Sequence, residues 1–426
     1  MKVVIMAGGK GTRIASVNSE VPKPMIRIND KPILQYIIEN LKEQGLIDYY
    51  LIVGYLGSVI KDYFGDGAKY GVNIQYIVEK EPLGTAGALY YLKDQIQDDF
   101  LLVNGDVIFD INVNRFYMHH KANNCIATIF THPNSHPYDS GLIFASDDGK
   151  VYKWLSKEEE RTWYKNRVNA GIHMLSPRVF EFFTELKKTD LDRDILKPLI
   201  PIRELCVYDS PEYVKDMGTP DRFALVSKEL IACMPKKKNL ETKQKAIFLD
   251  RDGTINKYVG FLRNIDDFEL IDGVAESIKR VNESGYLTIV ISNQPVIARG
   301  EVTESELEMI HNKMETLLGD YGSYVDDIFY CPHHPDKGFE GEIESLKIDC
   351  NCRKPKPGLL FKAAEKYNID LANSWMIGDR DNDILAGKNA GCNVLGIGDK
   401  ISIEDVTVCA SLPECIELIL GEIDDE

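Results

Sequence analysis

Apolar residues recur along this chain in two alternating rhythms. Short β-rich runs at Lys2–Met6, Tyr49–Val53, Ile74–Val78 and Phe100–Val103 read as strands. Between the first two, Ile33–Gly45 sets Ile33, Ile37, Ile38 and Leu41 on one face, which predicts a helix. Further along, Ala246–Leu249, Leu287–Ile291, Asp327–Tyr330 and Ser374–Ile377 read as strands, with helices over Val274–Ser284, Glu304–Leu318 and Leu359–Tyr367. Strands alternating with helices predict an α/β architecture: two doubly wound domains, each around a mainly parallel sheet.

The rhythm breaks once. Residues 234–244, beginning Met234-Pro235-Lys236-Lys237-Lys238, are polar and lysine-rich, and a fresh apolar strand follows at once. They read as a solvated hinge, giving domains 1–233 and 245–426. The length of 426 residues suits two such units. No internal repeat links them and their motifs differ, so the chain reads as two enzymes fused.

Composition narrows the function classes. A chain that is 44% hydrophobic and 27% charged can build ordinary cores, and a net charge of −17 excludes a general nucleic-acid binder. A local basic pocket for phosphates stays open. Nine cysteines, with Cys125, Cys206 and Cys233 isolated and Cys331, Cys350 and Cys352 clustered, predict no disulfide framework. No apolar run of roughly 18 residues appears and the N-terminal one is too short for a signal peptide, so no membrane association and a cytoplasmic location are expected. A homo-oligomer is compatible with all of this.

The first strand ends in Ala7-Gly8-Gly9-Lys10-Gly11-Thr12-Arg13. Glycines let backbone N–H groups approach phosphate oxygens, and Arg13 can pair with the same phosphates. Such a loop alone also fits a plain tight turn. Four companions follow. Val21-Pro22-Lys23-Pro24 stiffens a lysine between prolines, although a surface turn looks the same. Glu79 opens a second glycine loop, Leu83-Gly84-Thr85-Ala86-Gly87. Leu101–Asp106 ends a buried strand in a carboxylate, where ligands bind in such sheets. Lys215-Asp216-Met217-Gly218-Thr219-Pro220 adds another.

These five motifs in this order resemble the sugar-1-phosphate nucleotidyltransferase family over essentially all of positions 1–230, with a Rossmann-like fold. The resemblance implies attack by a sugar phosphate oxygen on the α-phosphorus of a nucleoside triphosphate. Arg13 would hold the leaving phosphates, Lys23 would contact the phosphates at the reacting centre, and Asp106 and Asp216 would coordinate Mg²⁺. Gly8, Gly9, Gly11, Thr12 and Gly84 would approach the nucleotide. Asn169 and Gly171 match the segment that lies against the sugar, and Glu79 is a candidate for sugar or base contact. The stretches Ser19–Met25 and Val214–Pro220 look most like the heptose- and mannose-1-phosphate guanylyltransferase branch, which implies GTP.

In the second half, Ala246–Leu249 runs into Asp250-Arg251-Asp252-Gly253-Thr254. Two carboxylates so spaced can serve as nucleophile and proton donor. An acidic loop that merely caps a sheet would not explain Ser292-Asn293-Gln294, Arg353-Lys354-Pro355 and Gly378-Asp379 at later positions. The set resembles the haloacid-dehalogenase phosphatase superfamily over 245–400. On that resemblance Asp250 forms an aspartyl-phosphate, Asp252 is general acid then base, and Ser292 and Lys354 clamp the phosphoryl group. Asp250, Asp252 and Asp379 form the Mg²⁺ site, with Asp383 supporting it. The short interval from Thr254 to Leu287 leaves no room for a cap domain.

Cys331-Pro332-His333-His334 and Cys350-Asn351-Cys352 add a three-cysteine, one-histidine set that favours a closed, structural Zn²⁺ site over buried thiols. Spacing alone does not choose between His333 and His334; the family pattern selects His333. With Ile297-Ala298-Arg299-Gly300, this zinc loop closely resembles the D-glycero-D-manno-heptose 1,7-bisphosphate 7-phosphatases, which implies Asn293, Gln294, Arg299 and Arg353 as substrate contacts. Pro295-Val296 stands where those enzymes usually carry Ser-Gly.

Together the halves constrain the sugar. Removing the 7-phosphate from a heptose 1,7-bisphosphate yields a heptose 1-phosphate, the substrate class of the first half. The expectation is a bifunctional enzyme making GDP-heptose, through the α anomer that accompanies guanylyl transfer in related pathways. The alternative is a hexose-1-phosphate nucleotidyltransferase fused to a histidinol-phosphate-type phosphatase. A nucleotide-sugar sensor without turnover would be expected to lose Asp250, Asp106 or Lys23, and all are retained.

Overall fold

The computed structural model describes residues 1–9 and 21–421. Gly11, Thr12 and Arg13 lie outside them. The chain forms two compact units: 1–132, 143–155 and 169–239 in one, and 133–142, 156–168 and 240–426 in the other.

In the first unit, strand Val3–Met6 lies between Asp48–Val53 and Phe100–Asn104 and pairs parallel with both. Its Val3, Val4 and Ile5 have no exposed surface, because a central parallel strand is covered on both faces. Asn73–Val78 extends the parallel set. Helix Ile33–Glu43 buries the predicted face, Ile33, Ile37, Ile38 and Leu41, together with Leu34. Beyond Phe100–Asn104 the sheet departs from the expected parallel pattern: Val168–Leu175 pairs antiparallel with that strand. A separate ribbon pairs Val107–Asp110 antiparallel with Tyr213–Asp216. Both elements lie past the positions where the alternation was legible.

The second unit carries a six-stranded sheet in the order 327–331, 287–293, 246–249, 375–378, 393–397, 408–409. Every pairing in it is parallel. The strands Ala246–Leu249, Leu287–Asn293, Asp327–Cys331 and Trp375–Gly378 fall where the apolar runs predict them. Between Thr254 and Leu287 stand one short 3-10 turn and helix Val274–Ser284.

Segments 133–142 and 156–168 belong to this unit although they precede it in sequence. Asn166 N–H donates to Glu315 Oε2 at 3.0 Å, and Arg167 pairs with the same oxygen at 3.2 Å. Their side chains are 4% and 2% exposed, so this is a buried ion pair on helix Glu304–Asp320. Tyr164 N–H donates to Thr316 on the next position. Removing Glu315 takes the carboxylate from a buried guanidinium, so Glu315→Ala should cost about 3–5 kcal/mol. Denaturant titration checks this; a midpoint within error of wild type would refute the role.

Two sequence expectations need correction. Residues 234–238 are not a solvated hinge but a short helix. Pro235 favours its first turn, Lys238 is buried, and Asn239 donates to the buried Asp110 at 2.6 Å. Composition showed the lysines but not the docking. Second, Cys125 and Cys206 are not isolated. Parallel pairing of Ala127–His132 with Leu205–Asp209 brings Cys206 opposite Thr128, and the two cysteines form a disulfide across 81 residues. Strand pairing at that range has no local signature.

Candidate functional site

Among the described residues, Lys23, Asp106 and Asp216 come together just past strand Phe100–Asn104. Lys23 lies in a short 3-10 turn started by Pro22, and its Nζ meets Asp106 Oδ2 at 2.6 Å. Asp216 sits opposite Val107 in the antiparallel ribbon, one position from Asp106. The spacing in sequence is large, yet the ribbon makes the two acids neighbours. Asp216 is shaped by its own turn: Gly218 N–H donates to its Oδ1 at 2.8 Å and Arg222 pairs with its Oδ2 at 3.1 Å. Two neighbouring carboxylates beside a lysine are hard oxygen donors suited to Mg²⁺.

Gly8 and Gly84 are glycines because of close approach. A Cβ on Gly8 would stand 2.3 Å from Glu79 Oε2, and one on Gly84 would stand 2.4 Å from the Thr189 carbonyl. A Cβ on Gly9 would meet nothing within 4 Å among the described residues. Glu79 accepts from Leu83 N–H at 3.1 Å, which locks the second glycine loop onto it. Burial raises the Glu79 carboxyl above its ordinary range, opposed by that hydrogen bond. Asn169 caps the backbone of Gly171 at 2.9 Å and donates to Asp192 at 3.3 Å. Asp192 escaped the sequence reading. Burial and the nearby Asp190 push its carboxyl up to about 6, against Lys197.

In the second unit the strand ends converge on Asp250. Lys354 Nζ meets Asp250 Oδ1 and Asp383 Oδ1, each at 2.6 Å, and donates to the Ile291 carbonyl at 2.7 Å. Burial disfavours its charge, but the Asp250 and Asp383 carboxylates win and hold its pKa above the ordinary value. Asn293 fixes this lysine through reciprocal bonds: its side chain donates to the Lys354 carbonyl and accepts from Lys354 N–H, both at 3.0 Å. Asp250 is raised by burial, with Asp383 and Asp252 adding to the effect and Lys354 opposing it.

Asp250, Asp379 and Asp383 bring one carboxylate oxygen each within 4.8 Å of one another. Asp379 Oδ1 is buried with no hydrogen-bond partner. An orphaned carboxylate oxygen inside an acid triad fits a hard divalent cation. Gly253 belongs to the same design. At φ 93° a Cβ there would lie 2.5 Å from Asp379 Oδ2.

The Asp252 side chain stands outside that triad, unlike its assignment as a metal ligand. Arg251, fully buried, meets Asp252 Oδ2 at 2.8 Å, Gln294 donates to the same oxygen at 2.9 Å, and Asn256 donates to Oδ1 at 3.2 Å. Burial works to raise the Asp252 carboxyl, but Arg251 and these hydrogen bonds outweigh it and lower it. Gln294 also donates to Ser292 Oγ at 2.7 Å, tying the two functional groups together. Burial and Arg251 keep His311 neutral, so its Nε2 accepts from Arg251 at 3.2 Å.

A cleft of 140 Å³ opens above these groups, walled by Tyr258, Phe261, Pro295, Val296, Arg353 and Arg380. The motif reading found Arg353 but missed Tyr258 and Arg380, single residues without pattern. Arg299 does not line the cleft. Its guanidinium is stacked 4.0 Å from the Phe261 ring centre and 4.3 Å from that of Phe339, so it braces the wall from behind.

Cys331, His333, Cys350 and Cys352 form a second cluster. Their ligand atoms all lie within 4.8 Å of one another, with Cys352–Cys350 and His333 Nδ1–Cys352 at 3.2 Å and Cys331–His333 at 3.6 Å. Zinc bonds of about 2.0–2.3 Å in a tetrahedron place ligand atoms roughly 3.5–3.8 Å apart, so the set fits. His333, not His334, turns inward; His334 Nδ1 accepts from Asp336 N–H at 3.2 Å. Arg353 follows Cys352 directly and donates to the His333 carbonyl at 3.2 Å, which sets it from the same loop. Cys352→Ser should remove bound zinc and lower Tm by about 10 °C. Metal analysis with a thermal melt reads both; unchanged values would exclude the site.

Comparison with known proteins follows the two-part division. A nucleotidyl transferase family model matches residues 2–232, and a HAD-hydrolase-like model matches 351–403. Over 152 residues, 35% of this chain, the sequence is 45% identical to the D-glycero-beta-D-manno-heptose-1,7-bisphosphate 7-phosphatase of Salmonella typhi, spanning 79% of that protein. Among solved structures, HddC from Yersinia pseudotuberculosis is 26% identical, with a TM-score of 0.48 over 54% of this chain and 99% of that one. The D,D-heptose 1,7-bisphosphate phosphatase from B. bronchiseptica, complexed with magnesium and phosphate, is 32% identical, with a TM-score of 0.37 over 42% and 98%. Among the described residues no helix is long and apolar enough to cross a membrane.

Proposed function

Because this chain belongs to the nucleotidyl transferase family through residues 2–232 and to the HAD-hydrolase-like phosphatases through its second half, we propose that it carries out consecutive steps on one sugar. The second half removes the 7-phosphate of a heptose 1,7-bisphosphate. The first half then joins the heptose 1-phosphate to a nucleoside monophosphate, GMP from GTP, releasing pyrophosphate. The observation that carries this reading is the 45% identity to a heptose bisphosphate phosphatase in a half fused to a nucleotidyl transferase.

In the phosphatase, a carboxylate oxygen of Asp250 attacks phosphorus while the bond to the sugar oxygen breaks, and Asp252 in its protonated form, reached against the pull of Arg251, delivers the proton that oxygen needs. Water then attacks the aspartyl-phosphate, Asp252 takes its proton, and Asp250 is regenerated with release of phosphate. Lys354 and Ser292 hold the phosphoryl oxygens. Lys354 enters the reaction already aligned, since Asn293 and the Ile291 carbonyl fix it. In the transferase, a sugar phosphate oxygen attacks the α-phosphorus and the bond to the β-phosphate breaks; Lys23 neutralises charge there and Arg13 holds the leaving group. Asp250 and Asp379 in one site, and Asp106 and Asp216 in the other, would hold Mg²⁺, which would supply charge neutralisation between anionic reactants. Cys331, His333, Cys350 and Cys352 would hold Zn²⁺ in a structural role, since the protein offers all four ligands.

The anomer is taken as α, from its association with guanylyl transfer, although the Salmonella typhi relative is named for the β form. Pro295 and Val296, which wall the cleft, are where this choice would be expressed. The test is product analysis of the intact chain given α- or β-heptose bisphosphate with each of the four ribonucleoside triphosphates. Phosphate release followed by GDP-heptose from the α anomer and GTP is expected. Preferential hydrolysis of histidinol phosphate would overturn the heptose assignment for both halves.

A further inference from the structure

Behind the phosphatase cleft stands a cation that the substrate does not reach. Arg251 has no exposed surface and does not line the cleft. One edge of its guanidinium faces Asp252: Nη2 donates to Oδ1 at 2.9 Å and to Oδ2 at 2.8 Å, and Nε donates to Oδ1 at 3.2 Å. The remaining terminal nitrogen, Nη1, donates to His311 Nε2 at 3.2 Å. Accepting there leaves the imidazole proton on Nδ1.

His311 is itself held. It lies buried on helix Glu304–Asp320, with its ring centre 5.7 Å from that of Tyr330. One turn further on, Glu315 accepts the Asn166 N–H and the Arg167 guanidinium, and Thr316 accepts the Tyr164 N–H. The imidazole therefore meets Arg251 from a fixed helix. A buried N–H that loses its acceptor is costly. A guanidinium deprived of His311 would turn towards another acceptor, and the carboxylate it grips would turn with it.

The geometry points to His311 as a positioning residue: by holding Arg251, it aims the Asp252 carboxyl at the leaving sugar oxygen. The inference rests on the phosphatase reading and on Asp252 as proton donor. His311 touches no substrate, so its effect scales with how much the leaving oxygen needs a proton. A sugar alkoxide needs one; nitrophenolate departs as a stable anion.

The test measures kcat/KM for heptose 1,7-bisphosphate and for p-nitrophenyl phosphate on the full chain. That ratio covers only the steps up to departure of the leaving group, so hydrolysis of the phosphoenzyme does not enter it. His311→Leu should lower it about 10- to 100-fold for the sugar and less than about threefold for the aryl ester. His311→Gln, whose Oε1 takes the place of Nε2, should recover most of the sugar activity. Arg251→Lys loses the planar fork and should show the same contrast between substrates, with little added by His311→Leu. A thermal melt checks folding; if His311→Leu does not fold, His311→Asn, whose oxygen takes the place of Nδ1, replaces it. Equal losses on both substrates would overturn the inference, as would a Gln variant no better than its partner or full additivity with Arg251→Lys. Asp252→Asn is the reference: equal losses there would remove the proton-donor role beneath the inference. A wild-type chain that releases phosphate from neither substrate would remove the phosphatase reading itself.

Discussion

Asp250→Asn should suppress phosphate release from the heptose bisphosphate by at least about 10⁴-fold in kcat, while the same chain keeps its nucleotidyl transfer. An amide has the shape of the carboxylate but cannot form the phosphoenzyme. The variant also separates function from stability. Asp250 shares its pocket with Asp379 and Asp383, and burial with carboxylate crowding lifts its pKa. Replacing it with a neutral isostere relieves that repulsion, and Lys354 retains Asp383 at 2.6 Å. Tm should therefore hold or rise as activity vanishes, the usual relation where an active site concentrates like charge. Stopped assays for phosphate and for pyrophosphate, beside a thermal melt, give the three readings. Surviving phosphatase turnover would assign the nucleophile elsewhere.

The mirror experiment is Asp106→Ala, expected to lower pyrophosphate release by about 10³-fold and leave phosphate release unaffected. Asp106 Oδ2 meets Lys23 Nζ at 2.6 Å, and Asp106 neighbours Asp216 across the ribbon. Its removal takes away a metal oxygen and frees Lys23 from its aligned position. Asp106 is 38% exposed at the side chain, so folding should scarcely change. Asp216→Ala should fall to a comparable level. Were either variant to transfer nucleotide at the normal rate, the ribbon would not hold the ion.

The contrast between what was and was not legible follows from range. Strands such as Ala246–Leu249 and helix Val274–Ser284 are written in local periodicity, and the structure keeps those bounds. Acids at strand ends, Asp106, Asp250 and Asp379, are equally legible because a buried run stops at a charge. Arg380 and Tyr258 carry no periodic signal; they share a cleft wall only once the chain has folded. The Cys125–Cys206 bridge and the partnership of Arg167 with Glu315 are hidden for the same reason. The stretch 234–244 failed differently. Lysine content predicts solvation, yet a stem can be buried while its charge finds a partner, as at Lys238.

Lys354 reaches Asp250 from a loop whose root, Cys352, lies two residues away and belongs to the thiolate–imidazole cluster. With Zn²⁺ bound there, as proposed, hydrolysis would inherit a nutritional dependence through an ion remote from the reacting phosphate. Cells short of that trace element would accumulate the bisphosphorylated precursor even with magnesium in ample supply.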